Sequence, residues 1–140
     1  MVEGDVPHSA WPTYNLQQLE KAVNDAKIAN KYLFIWDKQG AVATFMQYKG
    51  QLAPLGPEIV KKALGRQTPA DVGEFIRKNF IRAMREGERL CFDLENAAPN
   101  WGEYVSDGTF TLDFFNWEWL NQEGNYMPFV REEENMGLGG

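Results

Sequence analysis

The strongest constraint on this chain is the punctuation around residues 69–86. Thr68-Pro69-Ala70-Asp71 combines an N-cap hydroxyl, a proline at the first helical position and an acid at the third, a sequence-level start signal. Val72, Phe75, Ile76, Phe80, Ala83 and Met84 then recur with helical spacing, and Gly87 supplies the stop. This predicts a helix of about five turns with one apolar face. A second helix is predicted over 15–30, opened by Asn15 and carrying Leu16, Leu19, Val23 and Ala26 on one side. Both faces need a layer to cover. Two unbroken apolar runs, within 32–37 and 89–94, read as strands buried on both faces. Strands separated by helices describe an α/β fold with a small, mostly parallel sheet packed by two main helices.

The intervening segments are less sharply patterned. Pro54, Gly56 and Pro57 make residues 50–57 a predicted loop, followed by a short helix from Pro57 through Leu64 that Gly65 closes. Residues 41–48 fit either a short helix or a strand, and Val42, Thr44 and Phe45 tilt the expectation towards a strand. Ser106-Asp107-Gly108-Thr109 predicts the turn of a hairpin. The expected organisation is an irregular lead-in at 1–12, one α/β domain at 13–121, and an irregular, aromatic and acidic C-terminal arm at 122–140.

Charge is divided by position. The net charge is −6, yet residues 1–90 hold 13 basic and 10 acidic side chains, while residues 91–140 set Arg131 alone against 10 acidic ones. The same last fifty residues carry 10 of the 19 aromatic side chains. Trp117, Trp119, Tyr126, Met127 and Phe129 in that stretch are residue types that anchor interfaces. Arg82, Arg85 and Arg89 share one edge of the 69–86 helix, with Lys78, and offer a charged contact. Two alternatives stay open for the acidic end: folding back onto that basic edge, or binding a neighbour. Interleaved Glu74 and Glu86 and the acidic remainder argue against nucleic acid as a partner.

Chemistry-bearing patterns are sparse. Cys91 is the sole cysteine and His8 the sole histidine, which excludes an internal disulfide and a Cys/His zinc site. Cys91 lies between Leu90 and Phe92, a setting for a buried thiol rather than a nucleophile. No phosphate-loop or dinucleotide-binding glycine string occurs. Asp37 and Asp93 each close a predicted strand, where two carboxylates on one sheet rim could hold Mg2+ and a phosphate. Leu33 to Gly40 resembles the first motif of the haloacid-dehalogenase-type phosphatases, an apolar strand ending in a nucleophilic Asp. In this chain Lys38 and Gln39 leave no second acid in the Asp-x-Asp spacing, and Gly40-Ala41 stands where Gly-Thr is expected. The closing Gly139-Gly140 resembles the diglycine end of ubiquitin-like modifiers, but the chain does not open with that family's hairpin.

No stretch is apolar enough to span a membrane, and residues 1–8 lack the basic start and apolar stretch of a signal peptide. The expectation is a cytoplasmic, non-catalytic interaction module without a cofactor, an accessory or structural subunit of a larger assembly such as a cytoskeletal one of the axonemal type. Its partner would be another protein, engaged through the aromatic C-terminal arm. The alternative is a Mg2+-dependent phosphoryl-transfer or phosphate-binding enzyme using Asp37 and Asp93.

Overall fold

A computed structural model of the chain describes residues 13–135. The lead-in at 1–12, with His8, and the Gly139-Gly140 end lie outside the described residues. The elements in chain order are α1 (Leu19–Ile28), α2 (Ala41–Lys49), β1 (Gln51–Pro54), α3 (Leu55–Ala63), α4 (Pro69–Glu86), β2 (Leu90–Asp93), α5 (Trp117–Leu120) and α6 (Glu123–Tyr126). Short 3-10 turns occur at Leu16–Gln18, Trp101–Tyr104, Leu112–Phe115, Met127–Phe129 and Glu132–Asn135.

Helix α4 forms where its punctuation predicts. The Asp71 N–H donates to the Thr68 hydroxyl at 3.1 Å, and the Asp71 carboxylate accepts from the Thr68 N–H at 2.9 Å. Two backbone donors at the helix start are satisfied by this reciprocal pair. Gly87 takes φ +67° at the far end, a left-handed turn that costs a glycine little. α4 buries Val72, Ile76, Ile81 and Ala83, and also one charged residue, Arg77. Asn15 and Gln18 form the same reciprocal cap ahead of α1.

The sheet differs from expectation. It has two parallel strands among the described residues, with Gln51 opposite Leu90 through to Pro54 opposite Asp93. β2 lies where the sequence places it, but its partner is β1, within the stretch expected to be a loop. Pro54 does not prevent this. The Gln51 N–H donates to the Arg89 carbonyl at 2.8 Å, so Gln51 and Ala53 face β2 while Leu52 and Pro54 face away. The missing proline donor falls on the outer edge, where no ladder bond is lost.

Residues 32–37 do not form the expected buried strand: they have no regular secondary structure, lie outside the sheet and are largely exposed. Residues 41–49 form α2 rather than a strand, because the Asp37 carboxylate accepts from the N–H groups of Ala41, Val42 and Ala43 at 3.1, 2.9 and 3.4 Å. That cap outweighs the modest β-propensity of Val42 and Phe45. The expected hairpin at 104–112 reduces to a single bridge between Ser106 and Phe110.

The core joins α4 to the aromatic C-terminal half. Leu55, Val72, Ile76, Tyr104, Phe110, Phe114 and Leu120 form its buried cluster, with Phe80, Phe92, Trp101, Phe115, Trp119, Tyr126 and Phe129 among the half-buried side chains around it. Ring centroids lie 5.0 Å apart for Phe80–Phe114, 4.9 Å for Phe114–Phe129 and 5.0 Å for Trp101–Phe115. These spacings fall in the range where aromatic pairs add to simple area burial. The segment 122–135, expected as an arm, therefore lies against the domain.

Two glycines allow the layers to approach. A Cβ on Gly56 would sit 2.6 Å from the Leu94 carbonyl oxygen, and one on Gly73 would press into the Tyr104 carbonyl oxygen. Both obstacles are backbone atoms and cannot rotate away. Gly73→Ala is expected to destabilise by about 1–3 kcal/mol, lowering the melting temperature by roughly 3–10 °C. Gly102→Ala, where nothing lies within 4 Å of the new Cβ, is expected to change stability by less than about 0.5 kcal/mol. Thermal melts by circular dichroism compare the two, and equal melting temperatures would contradict the close approach at Gly73.

Candidate functional site

The unusual surface of this fold is the segment that failed to become a strand. Tyr32, Leu33, Phe34, Ile35 and Trp36 are five consecutive large apolar residues, each between 37 and 59% exposed. An exposed apolar run of this length is uncommon on a folded surface. The Asn30 side chain bonds the Asn116 side chain at 3.1 Å, and Tyr32 packs on Phe115 with centroids 5.1 Å apart. At the far end, Asp37 caps α2. The strip is thus tethered at both ends. Lys27 lies over the Trp117 ring at 5.1 Å and Lys38 over Trp36 at 4.8 Å, so cations border the apolar surface.

Asp37 and Asp93 have local structural roles. Asp37 has both carboxylate oxygens engaged by backbone N–H groups of α2. Asp93 accepts from the Glu95 N–H at 3.0 Å, a turn that ends β2. Both acids act on Cys91, whose thiol is pushed up first by burial and then by these neighbouring charges, which keeps it a thiol at neutral pH. Among the described residues no group of three or more His, Cys, Asp or Glu side chains is placed to hold a metal ion. Asp93 also borders an open polar groove with Gln47, Gln51, Leu52, Arg82 and Glu88. Gln51 donates its amide to the Asn79 carbonyl and side-chain oxygens at 3.0 and 2.9 Å, leaving its own Oε1 buried without a hydrogen-bond partner.

The aromatic residues expected to anchor a partner are distributed unevenly. Trp119, Tyr126 and Phe129 pack on the core cluster, and Met127 is half-buried in the turn between the last two. Only Trp117 of this set is exposed, at 38%, and it stands beside the start of the strip. The three arginines do not form one free face. Arg82 pairs with Glu86 at 3.6 Å, Arg89 reaches Glu20 in the first turn of α1 at 3.0 Å, and Arg85 donates to the Glu134 carbonyl at 3.2 Å.

Arg77 is a functional residue that the sequence pattern did not single out. It is 1% exposed. Its Nε donates to Glu74 at 3.0 and 2.9 Å, and its Nη1 donates to the Phe129 carbonyl at 2.8 Å and to Glu134 at 2.6 Å. The signal available in sequence was the Glu74–Arg77 spacing combined with an acidic C-terminal end in need of basic partners. Among the described residues the acidic end contacts α4 through Glu134, which meets Arg77 and Arg85.

The bonds from Arg77 hold the Glu74 carboxyl below its ordinary value despite partial burial. For Glu134, burial pushes upward, but bonds from Arg77 and the Arg131 N–H outweigh it and the net shift is down. Folded values below unfolded ones mean stability that is complete above about pH 4.3 and lost as pH falls further, through the lowered folded values. Thermal melts across that range are expected to show a decline that Glu134→Gln makes shallower. An identical decline in that variant would contradict the docking of Glu134 on Arg77.

Among the described residues no helix is long and apolar enough to cross a membrane. In comparisons with known proteins the chain matches no family model, and no curated protein and no solved structure is significantly similar to it.

Proposed function

We propose that the chain is a non-catalytic protein-interaction module, an accessory or structural subunit of a larger cytoplasmic assembly, cytoskeletal ones included. The observation that carries this reading is the exposed run Tyr32–Trp36, held between two structural tethers. Extended segments dock by presenting backbone groups for pairing and alternate side chains for specificity, and aromatic side chains dominate the energetics of such contacts. The docking surface is the strip together with the exposed face of Trp117. The acidic C-terminal residues contribute by building the core behind it.

The phosphoryl-transfer reading has weaker support. Asp37 is engaged by three amide groups, an arrangement that a helix cap explains fully. The remaining candidate acid, Asp93, closes a strand.

A photoreactive phenylalanine analogue placed at position 34 of the full chain tests the reading in its source cell. It is expected to give crosslinked species of higher mass. The same analogue at Leu64, exposed at the end of α3 but outside the strip, is expected to give none. Equal crosslinking at both positions, or crosslinking only from position 126, would overturn the strip as the docking surface.

A further inference from the structure

Resting on the reading of the strip as a docking surface, we propose that its occupant is a second copy of this chain, paired antiparallel across a twofold axis at Phe34. The argument comes from the order of residues along the exposed segment. Lys31-Tyr32-Leu33-Phe34-Ile35-Trp36-Asp37 is self-complementary when reversed about its centre. Lys31 falls opposite Asp37, Tyr32 opposite Trp36, Leu33 opposite Ile35, and Phe34 opposite itself. Opposite charges meet at each end, aromatic residues meet aromatic residues, and branched aliphatic residues meet each other. Each of these is a favourable cross-strand pair. A twofold interface requires this property, because one patch must complement itself.

Neighbouring registers lose the match. Centring on Leu33 sets Lys31 against Ile35, and centring on Ile35 sets Asp37 against Leu33. Either shift buries a charge against an apolar side chain, so charge and apolar pattern together select one register. Asp37 can serve both roles: it accepts from three amides in its own chain, and a carboxylate has about four acceptor positions.

The Lys31 N–H is taken by the Ala26 carbonyl, and the backbone is available at the two central positions of this register. Leu33 and Ile35 form no backbone hydrogen bond with other described residues. In the proposed pairing these two positions exchange N–H and C=O bonds with their counterparts. Phe34 then occupies the non-hydrogen-bonded position on the axis, where facing residues approach most closely.

Size sets the strength. Three half-exposed aromatic residues and two aliphatic ones offer roughly 450 Å² of side-chain surface per copy, taking about 200 Å² for a whole aromatic side chain. The total falls below the usual range for stable dimers, so the pair is weak and dissociates on dilution.

The test uses the full purified chain carrying Cys91→Ser, with a single cysteine returned at position 34 or 35. Facing non-hydrogen-bonded positions lie within disulfide reach, whereas two copies of residue 35 lie diagonally, beyond it. Phe34→Cys is expected to oxidise to a covalent dimer at about 100 µM, and Ile35→Cys to remain mostly monomeric. Sedimentation of the otherwise native chain should show a monomer–dimer equilibrium that Phe34→Asp abolishes and Lys31→Asp weakens roughly three- to tenfold. Equal crosslinking of both cysteine variants, or a monomer at every concentration, would overturn the self-pairing. If the purified chain stays monomeric while position 34 crosslinks to a different protein in cells, self-pairing fails and the docking surface stands. If position 34 crosslinks to nothing in cells either, both fail.

Discussion

The buried guanidinium of Arg77 governs how this chain is assembled. Bringing a charge out of water costs several kcal/mol unless hydrogen bonds and opposite charge replace the lost solvent. Arg77 lies on α4 beside Ile76, so burying the apolar face of that helix buries the charge as well. Glu74, one turn earlier, supplies one carboxylate, which is not enough for five donors. Phe129 and Glu134 supply the rest, from more than fifty residues further along. α4 thus completes its core only with the C-terminal segment in place. The same docking sets Phe129 against Phe114 and Trp119.

This explains the division of charge. The acidic end is partly neutralised within the fold: Glu134 meets Arg77 and Glu103 pairs with Lys62, while the Glu134 carbonyl meets Arg85. Arg131, the one basic residue of the last fifty, donates back to the Gly108 carbonyl at 2.8 Å. Aromatic residues crowd the same region because they form half of the core. What remains unusual lies elsewhere, where an apolar strip between tethers faces outward with lysines at its margins.

The sequence was most legible where local chemistry decides structure. Thr68, Asp71 and Gly87 specify α4 through contacts a few residues apart, and Asn15 and Gln18 do the same ahead of α1. β2 was legible as an apolar run followed by a turn. Its partner was not, because Gln51-Leu52-Ala53-Pro54 owes its strand conformation to the Arg89 carbonyl and to the Asn79 contacts of the Gln51 side chain. The same limit governs Tyr32–Trp36: an apolar run indicates a need for burial and says nothing about which surface provides it. The strip was misplaced and the buried arginine missed for one reason, since each depends on partners distant in sequence. Candidate acids suffered the opposite error. Asp37 looked like a rim carboxylate because the apolar run it closes, 32–37, was read as a buried strand.

Hydrogen exchange measured residue by residue on the full chain, at low and high protein concentration, tests the account most directly. Tyr126 and Phe129 pack against the core, and Tyr32–Trp36 is the proposed interaction surface. The prediction is that amides of α4, Phe114, Leu120 and Val130 are protected at both concentrations, while those of Leu33 and Ile35 gain protection only at the higher one. Rapid exchange throughout 122–134, with Leu33 and Ile35 already protected in dilute solution, would contradict it.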